Sequence, residues 1–239
     1  MAELGEHFKP DYNNLVSKPQ TIFKGQFYRI TILSDLLVRL EFSVDGYFED
    51  RPTEFAKFRN FPIPQMKVDQ NEKYLDITTK YFNLRYEKEK AFDGNKYSPD
   101  SVLRIKILET NKEWYYGHPE ARNYGGIYTN LDKTTDPFLE NVEVMDLKHV
   151  KKKIQDMFIG KAKGLYSTDG FVSIDDSKSN FIAEDGTLVF NERNRIDVYV
   201  FAYNRDFGNC LQSYFMLTGM PPLIPRYALG IWWNKSDYY

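Results

Sequence analysis

The sequence predicts an all-β sandwich followed by one helix and one further apolar strand, and three observations carry this reading. Over most of the first 160 residues, apolar and polar side chains alternate with a period of two, the mark of strands with one buried face. Glycine-based turn signals punctuate these runs at Val44-Asp45-Gly46, Asp93-Gly94-Asn95, Gly125-Gly126, Asp169-Gly170 and Asp185-Gly186, where the chain needs backbone angles that other residues avoid. Only residues 206–218 show a clear helical period, with apolar positions at i, i+3, i+4, i+7 and i+8.

In chain order, Leu36, Val38, Leu40 and Phe42 alternate with Arg39 and Glu41, with Leu37 the one irregularity. Phe82, Leu84 and Tyr86 alternate with Asn83, Arg85 and Glu87, and Leu103, Ile105 and Ile107 with Arg104 and Lys106. In residues 196–201, Ile196, Val198 and Val200 face away from Asp197, Tyr199 and Phe201, so this strand reads as buried on both sides. Many short strands with regular turn punctuation argue for a sandwich. The lysine run from Lys148 to Lys153 reads as a solvated face or an edge strand. The helix places Phe207, Cys210, Leu211, Tyr214, Phe215 and Leu217 on one stripe, with Asp206 as its N-cap, Gly219 as its stop, and Pro221 and Pro222 preventing continuation. Residues 227–233, Tyr-Ala-Leu-Gly-Ile-Trp-Trp, form a continuous apolar run of strand length.

Composition narrows the function classes. Of 239 residues, 16% are aromatic, an excess that serves sheets and sugar-facing surfaces alike. A formal net charge of −2 leaves no basic footprint for nucleic acid and no polybasic patch for a membrane. No stretch approaches the roughly 18 apolar residues of a membrane helix. The first 15 residues carry Glu3, Glu6, His7, Lys9 and Asp11 with no apolar run, which points to a cytoplasmic protein without a secretory signal. The single cysteine, Cys210, excludes an intrachain disulfide and reads as a small buried hydrophobe. His7, His118 and His149 are scattered without ligand spacing, so neither a metal site nor a Ser/His/Asp arrangement is supported, and no cofactor is implied. Gly125-Gly126 lacks the rest of a phosphate loop.

Two carboxylate groupings invite a catalytic reading and do not support it. Asp175 and Asp176 diverge if they lie on a strand and satisfy backbone N–H groups if they lie in a turn. Glu49-Asp50-Arg51 reads as an internal ion pair that orders a loop.

The segment Thr218-Gly219-Met220-Pro221-Pro222-Leu223-Ile224-Pro225-Arg226-Tyr227-Ala228-Leu229-Gly230, following the helix, resembles the junction between sandwich and barrel in glycoside hydrolase family 31. Three other stretches are similar to the same family in the same order: Asp45-Gly46-Tyr47-Phe48-Glu49-Asp50-Arg51-Pro52-Thr53; Arg122-Asn123-Tyr124-Gly125-Gly126 with Thr129-Asn130-Leu131-Asp132; and Ser167-Thr168-Asp169-Gly170-Phe171 with Asp175-Asp176-Ser177. The resemblance implies a mutarotase-like β-sandwich over residues 1–205, a linking helix and Pro-rich turn over 206–222, and over 223–239 the first strand of a (β/α)8 barrel. The family hydrolyses α-linked glucosides and α-xylosides with retention, which needs two carboxyl groups about 5–5.5 Å apart. No stretch here matches the family's catalytic Asp motifs, so the resemblance places them beyond residue 239 and implies that this chain alone is inactive, meeting its carbohydrate substrate only through the barrel.

Within the chain, the resemblance points to Asp132 and Asp136, on a loop that in the family reaches the barrel mouth, as groups that hydrogen-bond sugar hydroxyls; a polar turn ahead of Pro137 is the alternative. Trp232, Trp233 and Asp237 would fall at the carboxyl end of the first barrel strand, where barrel enzymes place their sites, although the two tryptophans suit core packing equally. The charged stretch from Lys148 to Lys163 departs from the family pattern. The rival class is a stand-alone carbohydrate-binding or interaction module, and a homo-oligomer covering the 227–233 strand is a further possibility.

Overall fold

The computed structural model describes residues 14–93, 102–118, 164–221 and 224–230. Twelve strands are defined in chain order among them: β1 (Ile22–Lys24), β2 (Tyr28–Ser34), β3 (Leu37–Phe42), β4 (Lys67–Gln70), β5 (Tyr74–Thr78), β6 (Phe82–Glu87), β7 (Leu103–Ile107), β8 (Glu113–Tyr115), β9 (Phe171–Asp175), β10 (Phe181–Ile182), β11 (Leu188–Val189) and β12 (Ile196–Ala202). One α-helix follows, α1 (Phe207–Thr218). The strands form two five-stranded antiparallel sheets, β1-β2-β3-β12-β9 and β4-β5-β6-β7-β8, with β10-β11 as a separate hairpin. The described residues therefore form an all-β sandwich followed by one helix.

The second sheet follows the alternation read from the sequence. Leu75, Ile77, Phe82, Leu84, Tyr86, Leu103, Ile105 and Ile107 are fully buried, while the residues between them are partly exposed. Burial of each such side chain stabilises by about 1.5–3 kcal/mol before entropy is counted. On the outer face Arg85 lies opposite both Asp76 and Arg104 and stacks 4.5 Å from the Tyr74 ring centroid, which offsets the like-charge pairing. The sheets meet through side chains such as Tyr28 and Tyr86, whose rings make an edge contact at 4.8 Å.

The first sheet departs from that pattern. Its core face carries Ile30, Ile32, Val38, Leu40, Val198 and Val200, aligned by register. Its opposite face, carrying Arg29, Thr31, Arg39, Glu41, Asp197 and Tyr199, is buried as well. Residues 47–61 and α1 cover it: Phe55 packs on Tyr199 and Tyr214, and Tyr214 on Phe201. The double burial read for the 196–201 strand is present. Arg39 and Glu41, on the polar side of a half-buried strand by sequence, are in fact enclosed, because a long loop supplies a second roof.

Asp206 caps α1 by accepting from the Asn209 N–H at 3.2 Å, and the Tyr81 hydroxyl donates to the same carboxylate at 2.5 Å, tying the helix to the second sheet. That hydroxyl, ahead of burial, holds the Asp206 carboxyl below its usual range. The helix ends at Gly219, whose φ of +95° suits glycine. Cys210 and Leu217 are buried, but Leu211 and Phe215, expected on the same stripe, lie partly in solvent, and Ser213 is buried instead with its Oγ 3.3 Å from Ser34 Oγ. The helix is rolled so that its contact line runs through 210, 213 and 217.

The apolar run at 227–233 was expected to be extended. Residues Arg226–Leu229 instead form one turn of 3-10 helix after Pro225. Among the described residues no neighbouring strand offers this segment a ladder, and an unpaired strand leaves its N–H and C=O groups to water, so a local turn satisfies them better. Residues 231–233 lie outside the described residues. No helix among the described residues is long and apolar enough to cross a membrane.

Candidate functional site

Asp132, Asp136, Trp232, Trp233 and Asp237, the side chains singled out for substrate contact, all lie outside the described residues, as does the Lys148–Lys153 run. The described residues bring together two other constellations, one buried and one open.

The buried one sits on the outer face of the first sheet. The Arg29 guanidinium donates to both Glu41 oxygens, at 2.6 and 2.9 Å, and contacts Asp50 at 2.8 Å. Arg39, which lies opposite Tyr199 in the ladder, donates to both oxygens of Asp197 at 2.9 and 2.7 Å and reaches Glu41 at 3.1 Å. Both arginines also donate to the Glu49 carbonyl, at 3.1 and 3.0 Å, and so hold down the covering loop. Arg59, on that loop, donates to the Tyr199 hydroxyl at 2.8 Å. Burial opposes the charge on Arg39, but Asp197 and Glu41 overturn this and hold its pKa well above the usual value. Burial likewise opposes ionisation of Asp197, and Arg39 outweighs it, leaving its carboxyl below the usual range. Bidentate pairing of this kind is the geometry that makes a desolvated ion pair tolerable.

The two carboxylate groupings behave as the sequence indicated. Glu49 accepts from the Asp50 and Arg51 N–H groups and from the Arg51 guanidinium at 2.9 and 2.6 Å, ordering its loop. Asp175 Oδ1 accepts from the Ser177 N–H and hydroxyl, whereas Asp176 turns inward and accepts from the Thr53 hydroxyl at 2.8 Å. Thr53 in turn accepts from the Ala56 N–H, so one hydroxyl links the turn after β9 to the covering loop. Asp176 is fully buried; burial first and Asp197 second push its carboxyl up to about 6. Every carboxylate in this layer faces an arginine, a backbone N–H or a hydroxyl inside the fold. The layer is thus a fastening between loop and sheet, and it offers no open acid and nucleophile pair.

The sequence signal for this layer was the pairing of two facts: Asp197 lies in a strand apolar on both sides, and Arg39 and Glu41 lie two apart on another strand. A charge in a doubly buried strand needs a partner on its neighbour.

The open constellation is a groove of about 450 Å3 between α1, the turn after β2 and the Phe61-Pro62-Ile63-Pro64-Gln65 segment. Lys80, Asn209 and Gln212 are exposed along it, and Phe61 and Tyr81 close its floor. Sequence reasoning missed it because Asn209 and Gln212 read only as the solvated side of an amphipathic helix. Cys210, one residue from Asn209, points into the core, and burial pushes its thiol up to about 12. His118 packs edge-on against Phe171. Among the described residues no group of three His, Cys, Asp or Glu side chains is placed to hold a metal ion.

No family model and no curated protein matches the chain. Among solved structures it is similar to a GH31 dextranase of Flavobacterium johnsoniae complexed with glucose, at a TM-score of 0.47 and 14% identity. A mutant of that dextranase complexed with isomaltotriose matches with the same TM-score and identity. Each comparison covers 87% of this chain and 28% of the dextranase chain, so the chain spans less than a third of the length of these structures.

Proposed function

We propose that this chain is the N-terminal β-sandwich region of a retaining α-glycosidase of glycoside hydrolase family 31, one that hydrolyses terminal α-linked glucosyl or xylosyl residues, and that residues 1–239 alone are inactive. The observation that carries the reading is the surface that follows α1. Met220, Ile224, Tyr227 and Leu229 are 76%, 62%, 84% and 72% exposed, in the segment where the sequence resemblance puts the entry into a barrel. Four large apolar side chains presented in ten residues suit a surface that is covered in the working protein.

The family-like stretches that fall within the described residues also coincide with working parts of the fold. Glu49, Asp50 and Arg51 belong to the loop fastening, Asp176 is its second anchor, and Gly219 stops the helix. The groups that would perform the chemistry, an acid/base and a nucleophile flanking the glycosidic bond, lie on the barrel in this reading. Asp132, Asp136, Trp232, Trp233 and Asp237 then supply contacts to the sugar from the sandwich loop and the first barrel strand.

The test compares two purified proteins on 4-nitrophenyl α-glucoside and α-xyloside: residues 1–239, and the protein as its source encodes it, carried through any residues beyond 239. The expected result is hydrolysis with retention of anomeric configuration in the second and none in the first. Activity in residues 1–239, or a longer protein silent on every α-glycoside tried, sinks the proposal.

A further inference from the structure

We propose that the groove beside α1 is a binding subsite for a neutral, hydroxyl-rich ligand, a mono- or disaccharide, held on the sandwich itself. At about 450 Å3 its volume falls within the range of roughly 300–1,000 Å3 typical of small-molecule sites. The ligand class follows from the chemistry of the lining.

Charge comes first. Among the described residues the groove presents one carboxylate, Asp35, and one ammonium group, Lys80, whose formal charges balance. A phosphate would meet Asp35 and a polyamine would meet Lys80, each at a cost, whereas an uncharged ligand meets neither penalty. Hydrogen bonding comes second. Gln65 and Gln212 each carry an amide that both donates and accepts, Asn209 adds its side-chain carbonyl while its NH2 donates to Asp206 at 2.8 Å, and the Ser34 and Ser213 hydroxyls are paired with each other at 3.3 Å. Among the described residues the side chains of Asp35 and Gln212 take no hydrogen-bond partner. A sugar hydroxyl, which donates and accepts together, is the complement of such a lining; an apolar ligand would leave these groups desolvated and unpaired.

The floor comes third. Phe61 and Tyr81 are buried beneath the groove, and Met216 and Ile63 stand at its sides, 37% and 49% exposed. They give the C–H face of a pyranose a surface to cover while its hydroxyls turn to the amides. The Tyr81 hydroxyl is already committed to Asp206, which fixes the ring in place. The helix cap therefore fastens the α1 side of the groove to Tyr81, so little ordering of that side is needed on binding.

The subsite does not depend on the glycosidase reading. Sugar binding here would survive a finding that the longer protein hydrolyses nothing, and an active glycosidase could lack it.

The experiment is a heteronuclear NMR titration of residues 1–239 with maltose, with glycerol and inorganic phosphate as controls. Saturable shifts of amides in α1 and at residues 80–81 are expected, with a dissociation constant at or below about 10 mM. Asp35→Ala and Gln212→Ala should each weaken maltose binding by about three- to tenfold, the loss of one or two hydrogen bonds. Gln70→Ala, on the exposed strand β4, should leave it unchanged. Both groove substitutions remove side chains without internal hydrogen bonds, so the variants keep the native spectrum. Absence of saturable shifts overturns the proposal. So does maltose binding that both variants retain, or binding by phosphate or glycerol as tight as that of maltose.

Discussion

Replacing Asp176 by asparagine tests the energetics of the buried layer most directly. Asp176 is enclosed between the turn after β9 and the covering loop, where Thr53 donates to one oxygen, the other has no hydrogen bond, and Asp197, Arg59 and Ser179 are its other polar surroundings. Burial, and then Asp197, raise its folded pKa from 3.8 to about 6. The folded chain therefore keeps this proton between about pH 4 and 6, where the unfolded chain has released it. Protonation stabilises the fold fully below about pH 4, and this contribution is lost as pH rises through about 6. At about 1.36 kcal/mol per pKa unit, the gap between 3.8 and 6 amounts to about 3 kcal/mol. The asparagine side chain in the Asp176→Asn variant is neutral throughout and carries none of this dependence. Urea unfolding of both proteins in steps across roughly pH 4 to 8 should show the variant gaining on the wild type by about 2–3 kcal/mol over that range, whatever offset the amide itself imposes. Background titration of other carboxylates cancels in the difference. A difference that stays flat across this range, or that moves the other way, refutes the reasoning.

Three further outcomes follow from the same structure. Arg39→Met removes the cation shared by Glu41 and Asp197, leaving Glu41 to Arg29 and Asp197 to a 3.4 Å contact with Arg195, and should cost about 3 kcal/mol in denaturant unfolding. Gly170→Ala forces a Cβ to 2.7 Å from the Asn204 backbone at a φ of +78°, and thermal unfolding should register a loss of more than about 1 kcal/mol. Cys210, with its thiol pushed up to about 12 by burial, should resist iodoacetamide near neutral pH in the folded protein and react promptly in denaturant.

Where one side of a strand met the core and the other met water, sequence alone was sufficient. The alternation in β6 and β7 marked which residues would be buried, because period-two patterning and burial are the same fact for a half-buried sheet. The helix limits were equally local: Asp206 satisfies N–H groups at one end, and Gly219 takes the angles that end it. The ion pair within Glu49-Asp50-Arg51 was legible for the same reason, since its partners are two residues apart.

Tertiary structure alone decided what lies farther apart in the chain. Arg39 and Asp197 are separated by 158 residues and meet because β12 enters the first sheet beside β3. The roof that buries them comes from residues 47–61, whose sequence carries no periodic signal. The roll of α1 was likewise undecided by its pattern: Ser213 rather than Leu211 faces inward, where its hydroxyl meets that of Ser34, and Asn209 and Gln212 line the groove. The 3-10 turn at Arg226–Leu229 makes the same point from the other side, because an apolar run specifies that it will be covered, and only a neighbouring strand can make it extended. Local rules set the elements and their ends; which faces are covered, and by what, is a property of the assembled chain.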